Sequence, residues 1–169
     1  MRSIEHGNLL DAATAALMAE NGTWLVPTLA TYDALHRNAT RLGWSDEMIR
    51  KLELVRSQGI EAIRIARDAG VRIGYGTDLL GEMHRHQSEE FVIRGRVLPA
   101  HEVIASTTHI AAKLLRQDGK LGVVAPGAHA DLIVLDGDPL KDLSLLTAQG
   151  RHMPLIMKAG AFVKRSAIP

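Results

Sequence analysis

The chain has 169 residues, of which 46% are hydrophobic, 23% charged and 4% aromatic, enough for one soluble globular domain with a real core. Twenty basic residues against nineteen acidic ones leave a formal charge of +1, so neither nucleic-acid nor anionic-membrane binding is expected, and no apolar run approaches the roughly 18 residues of a membrane span. Cysteine is absent, which excludes disulfides, a thiolate nucleophile and Cys-ligated zinc; the opening Met1-Arg2-Ser3-Ile4-Glu5-His6-Gly7 lacks the apolar stretch of a signal peptide, and the expected location is the cytoplasm.

Ser3-Ile4-Glu5-His6 is a brief extended stretch that stops at Gly7. Asp11 caps a predicted helix over 12–20, with Leu17 and Met18 as its large apolar residues and Gly22 as its stop. Thr23-Trp24-Leu25-Val26-Pro27-Thr28-Leu29 reads as a buried strand with Pro27 near its end. Asp46 is placed to cap the next helix, in which Ile49, Leu52 and Val55 recur at three-residue steps. Gly59 is expected to break or kink it before Ile60, Ile63 and Ala66 resume the stripe as far as Gly70. Residues 71–78, Val-Arg-Ile-Gly-Tyr-Gly-Thr-Asp, form a predicted strand whose glycines allow close approach, and Pro99 introduces a helix from about His101 to Arg116. This β-α-β-α-β-α order calls for parallel strands joined by right-handed crossovers. In the tail, Gly122-Val123-Val124 and residues 131–135 read as two strands around Pro126-Gly127. Asp136-Gly137-Asp138-Pro139 is turn chemistry, and residues 156–163 read as a final hairpin. The class is α/β with a small all-β appendage.

Two strand ends carry groups able to ligate metal or move protons, His6 and Asp78, and reactive groups of a parallel sheet gather at the C-terminal ends of its strands. On the residues alone a His before Gly is more often a hydrogen-bonded turn residue than a ligand, and Thr77-Asp78 could equally be a helix cap. Other motifs fail on spacing. Gly74-Tyr75-Gly76 lacks the third glycine of a dinucleotide loop at Leu79, and His101-Glu102 meets Ala105 where a zinc-protease helix needs histidine. His84-Arg85-His86 has flanks unlike a strand, so its rings do not share a face; no Gly-x-Ser-x-Gly elbow and no P-loop occurs.

Ile4-Glu5-His6-Gly7, Leu25-Val26-Pro27-Thr28-Leu29, Gly76-Thr77-Asp78-Leu79-Leu80-Gly81 and the run from Gly127 to Pro139 (Gly-Ala-His-Ala-Asp-Leu-Ile-Val-Leu-Asp-Gly-Asp-Pro) occur in that order. Together they resemble the C-terminal part of an amidohydrolase-superfamily enzyme, nearest its prolidase-like and imidazolonepropionase-like branch. The resemblance implies the last three βα units of a (β/α)8 barrel, strands six to eight, over residues 1–120. It also implies a C-terminal β segment of the family's β-sandwich over residues 121–169. His6 matches the metal-binding histidine of strand six, and Asp78 the strand-eight aspartate that touches metal and takes a proton. The implied cofactor is a divalent metal, zinc first, as one or two ions in the complete enzyme.

A full barrel needs about 250 residues, and the family's strand-one His-x-His, bridging carboxylated lysine and strand-five histidine have no counterpart here, so the resemblance describes a fragment. Two functions follow from it. The first is part of a metal-dependent hydrolase that cleaves C–N bonds of small amides, Xaa-Pro or related dipeptides, by a metal-activated hydroxide. The second is a non-catalytic half-barrel that self-associates as a homo-oligomer or complements a missing N-terminal segment. Tyr32 and Arg85 follow strands seven and eight, where a substrate carboxylate would be held, although a residue so placed is more often a packing or surface residue. The isolated chain is expected to be inactive, to bind metal weakly and to self-associate, because open strand edges and a wet tail sheet replace missing neighbours.

Overall fold

The Asp11 carboxylate accepts the Thr14 amide at 2.7 Å and so starts α1 (Ala12–Glu20), and the chain leaves the helix through Gly22 in the left-handed region at φ 62°. The computed structural model describes residues 1–166. Two short strands flank α1, β1 (Ser3–Glu5) and β2 (Trp24–Val26), and they pair in parallel with Ile4 opposite Leu25. That is the pairing a β-α-β crossover imposes. On the other edge of β2, the Leu25 amide donates to the Arg72 carbonyl at 3.0 Å and the Gly74 amide to the Leu25 carbonyl at 2.8 Å, a single parallel bridge between Leu25 and Ile73. Three extended segments thus lie side by side, in chain order.

The third segment is a correction to the strand expected over 71–78, since only Ile73 is bridged. Gly74 and Gly76 offer no side chains to pack a pleat. A Cβ on Gly76 would lie 2.8 Å from Val26 Cγ1, so the segment needs glycine to come this close to the end of β2. The strand expected over 23–29 also stops early, at Val26. Pro27 has no N–H for a ladder, and Leu29 already opens α2 (Leu29–Asn38), a helix the sequence reading did not contain.

α3 (Asp46–Asp68) is capped by Ser45 rather than Asp46: the Ser45 hydroxyl accepts the Met48 amide at 3.3 Å, and Asp46 and Glu47 occupy the first turn, where the helix dipole favours them. Gly59 neither breaks nor ends this helix. A Cβ there would sit 2.5 Å from Leu29 Cδ2 and 2.8 Å from Asn8 Nδ2, so the glycine is the contact point of α3 against the residues after β1 and β2. Its place between Leu52 and the buried Ala62, Ile63 and Ala66 continues the apolar stripe. The core around the strands joins Leu25 to Ala15 and Met18 of α1 and to Ala66 and Val71, with Ile4 and Ile73 packed against them. A 3-10 stretch (Gly81–His86) and α4 (Glu89–Arg94) complete the first of two compact units, Met1–Val97.

The second unit, Leu98–Pro169, begins with α5 (Ala100–Thr107), for which Pro99 stands at the N-cap, and α6 (His109–Leu114). The single helix expected over about 101–116 is interrupted at Thr108, φ −113° and ψ −109°. Ser106, Thr107 and Thr108 all turn their hydroxyls back onto carbonyls of the preceding turn, which competes with the helical ladder. Gly122 fits against the break, where a Cβ would lie 2.3 Å from the Thr108 carbonyl carbon. Residues 122–124 form no strand, contrary to the expectation. The sheet is built from β3 (Leu132–Val134), β4 (Leu155–Lys158) and β5 (Ala161–Arg165), antiparallel in that order with Ile133 opposite Ile156. Compactness groups α5 and α6 with this sheet, whereas the family resemblance divides the chain at residue 120. No helix among the described residues is long and apolar enough to cross a membrane.

Candidate active site

His6 directly follows β1 and Asp78 follows the bridged segment, and both have left-handed backbones, φ 67° and 49°. They are the only non-glycine residues of the unit Met1–Val97 with positive φ. Such a conformation costs of order 1–3 kcal/mol and persists where the surroundings enforce it, most often at functional sites. Here the two turned strand ends bring His6 Nε2 within 3.7 Å of Asp78 Oδ2. The side chains remain 42% and 60% exposed, so both reactive heads are open to an incoming molecule.

The other ring nitrogen of His6, Nδ1, lies 2.7 Å from the Thr28 hydroxyl oxygen, and Thr28 is itself buried at the exit of β2. The direction of this bond follows the tautomer: a proton on Nδ1 is donated to Thr28, whereas with the proton on Nε2 the Thr28 hydroxyl donates to Nδ1. In either form the bond orients the ring, as an outer hydrogen bond does for a metal-binding histidine. Tyr32, one helical turn into α2, presents its ring edge-on to His6 at 6.2 Å and 87°. Burial, and then the negative charge of Asp78, push its phenol above the ordinary value, so it stays a hydrogen-bond donor at neutral pH. Arg85 lies in the 3-10 stretch, exposed, with Nε 3.2 Å from His86 Nε2; His86 in turn faces Glu89.

His6 and Asp78 offer one imidazole nitrogen and one carboxylate oxygen, a donor set suited to zinc or manganese. Among the described residues no group of three or more His, Cys, Asp or Glu side chains gathers around a common point. The pair fits two positions of a metal's coordination shell, and a complete catalytic zinc site takes a third protein ligand.

Three residues of this neighbourhood were not singled out as site residues from the sequence. Thr28 lies within the quoted run Leu25–Leu29 but was given no role of its own there. Glu90 and Arg94, four apart on α4, have the spacing of an ordinary surface pair, yet both side chains are fully buried with Arg94 Nε 2.7 Å from Glu90 Oε1. Burial pushes the Glu90 carboxyl upward, while Arg94 and the first amides of α2 pull it back.

The Amidohydrolase family model matches residues 1–160, and the chain belongs to that family. A crystal structure of an amidohydrolase superposes with a TM-score of 0.94 at 49% identity, covering 98% of this chain and 40% of that one. A prolidase solved in complex with N-methylphosphonate-L-proline gives 0.93 at 46% identity, again over 98% of this chain and 41% of the other. Ochratoxinase of Aspergillus niger is 26% identical over 168 residues, 99% of this chain and 35% of its own length. The chain therefore spans about two fifths of the length of these relatives, and the family it joins is one of hydrolases.

Proposed function

We propose that this chain supplies the last three βα units of an amidohydrolase barrel and the C-terminal β segment. On this reading it carries part of a metal-dependent site that hydrolyses C–N bonds of small amides, Xaa-Pro or related dipeptides. The observation that carries the reading is the approach of His6 Nε2 and Asp78 Oδ2 to 3.7 Å from two different strand exits. The parallel order of β1, β2 and the Ile73 segment agrees with three successive barrel strands. The prolidase likeness supports the substrate class.

A bound divalent ion supplies Lewis acidity and a water of lowered pKa. His6 would hold it through a ring nitrogen, with Thr28 orienting the ring. Asp78 takes the proton of the attacking water and returns it to the departing amine nitrogen, which needs a carboxylate that alternates between its two forms. Tyr32, kept protonated, donates to the substrate's carboxylate; Arg85 is the second candidate for that contact.

With an N-terminal barrel segment restored upstream, Asp78→Asn keeps the size but not the proton affinity. It should lower kcat by roughly 10²–10⁴-fold with circular dichroism unchanged. An unimpaired Asn variant removes Asp78 from the chemistry. His6→Ala should instead lose metal on dialysis. The two-residue donor set also favours a second reading, in which these 169 residues alone act as a non-catalytic, self-associating half-barrel. Light scattering after size exclusion, with a zinc titration, separates the readings for the isolated chain. A monomer with a tight metal site would show it to be self-sufficient.

A further inference from the structure

Arg94 distributes its guanidinium over both strand exits. Nη2 donates to the Pro27 carbonyl at 2.7 Å and Nη1 to the Gly74 carbonyl at 2.7 Å, while the Tyr75 ring lies 4.6 Å from the guanidinium carbon. Pro27 immediately precedes Thr28, the partner of His6 Nδ1, and Gly74-Tyr75 leads into Gly76-Thr77-Asp78. Glu90 completes the clamp: Oε1 accepts from Arg94 Nε, and Oε2 accepts the Ala30 amide at 2.6 Å, at the start of the helix that carries Tyr32. One internal ion pair therefore touches the backbone leading to each of His6's anchor, Asp78 and Tyr32.

We infer that Glu90 and Arg94 are positioning residues that set the spacing and orientation of His6 and Asp78, an inference that rests on the reading of that pair as the hydrolytic site. A buried ion pair is weak evidence for stability as such, since well-packed apolar residues often serve as well. What apolar residues cannot do is bond two strand-exit carbonyls and a carboxylate from one rigid plane. Lysine cannot either, because its ammonium lacks the planar fork.

The test compares Arg94→Lys and Glu90→Gln with a core control, Ile63→Val, in the chain with an N-terminal barrel segment restored upstream. Zinc affinity should fall roughly 10–100-fold in Arg94→Lys, as for other outer-sphere losses. At saturating metal, kcat should fall about a hundredfold with KM little changed, the signature of misplaced rather than missing groups. A third readout does not depend on activity. Long-range proton–nitrogen spectra of the metal-free protein should show the same His6 tautomer ratio in the parent and in Ile63→Val, and a different ratio in Arg94→Lys. Glu90→Gln keeps the side chain's size and one acceptor, should show the same change in weaker form, and decides the matter if Arg94→Lys does not fold. Folded variants with the parent's His6 tautomer and zinc affinity would overturn the inference. A parent that binds no zinc and cleaves no amide would overturn the hydrolase reading instead, and the tautomer comparison would still judge the clamp.

Discussion

Leu25 in β2 is completely buried between a parallel strand on one edge and a parallel bridge on the other, whereas Val163 in β5 leaves 68% of its surface to solvent. The whole of β2 is buried, while Ile133 and Val134 of β3 and Phe162 of β5 are exposed on the tail sheet. The two sheets are specified by different forces. Packing on both faces fixes β2, and the parallel pairing of β1 with it sets the direction in which the chain leaves both strands toward His6 and Thr28. The tail sheet is fixed by its antiparallel ladder and by local polar contacts. Asp131 accepts Lys158 Nζ at 2.5 Å and the Ala159 amide at 2.7 Å, clamping the left-handed turn Ala159-Gly160. The candidate pair sits at the ends of the segments whose geometry is held by the core.

Breaking the buried side should cost most. Arg94→Met leaves the Glu90 carboxylate buried with only backbone donors, and the expected loss is about 3–5 kcal/mol by urea titration. A loss below 1 kcal/mol would mean that Glu90 simply takes up a proton. Leu25→Ala empties the centre of the parallel layer, for an expected 2–5 kcal/mol. The matching change on the other sheet, Val163→Thr, should stay within about 0.5 kcal/mol. Equal costs at the two positions would erase the contrast between the sheets.

The smallest effect is one of pH. Hydrogen bonds from Lys158 and from the Ala159 amide hold the Asp131 carboxyl below the ordinary aspartate value. A carboxyl depressed in the folded state contributes stability that is complete above its unfolded value of about 3.9 and is lost as pH falls through the lower folded value. The protection factor of the Ala159 amide, with the intrinsic pH dependence of exchange divided out, should therefore fall on acidification from about pH 4 downward, and Asp131→Asn should remove that dependence. An unchanged pH profile in the variant would assign the turn's stability to the ladder alone.

The candidate pair was legible because each residue closes an extended run at a motif, Ile4-Glu5-His6-Gly7 and Gly76-Thr77-Asp78, and because the family places ligands at strand ends. α1 and the final hairpin were legible for local reasons, an aspartate cap in the one and the turn Ala159-Gly160 in the other. α2 was hidden because Trp24 to Leu29 is one unbroken apolar run apart from Thr28, and such a run does not show where extended chain becomes helix. Gly59 misled for a related reason: a glycine inside a helix reads as a weak point until the neighbour it admits is known.

By itself, then, the sequence determined the class, the local starts and stops, and the residues with reactive side chains, since capping, turn formation and apolar periodicity act over a few neighbours. Tertiary structure decided which of those residues meet. The 3.7 Å between His6 and Asp78 spans residues far apart in the chain, as do the bond of Thr28 to His6 and the reach of Arg94 to Pro27 and Gly74. Local rules read Glu90 and Arg94 as a solvated helical pair. Only the packing of α4 over two strand exits takes them out of water, and burial turns that common spacing into an internal clamp.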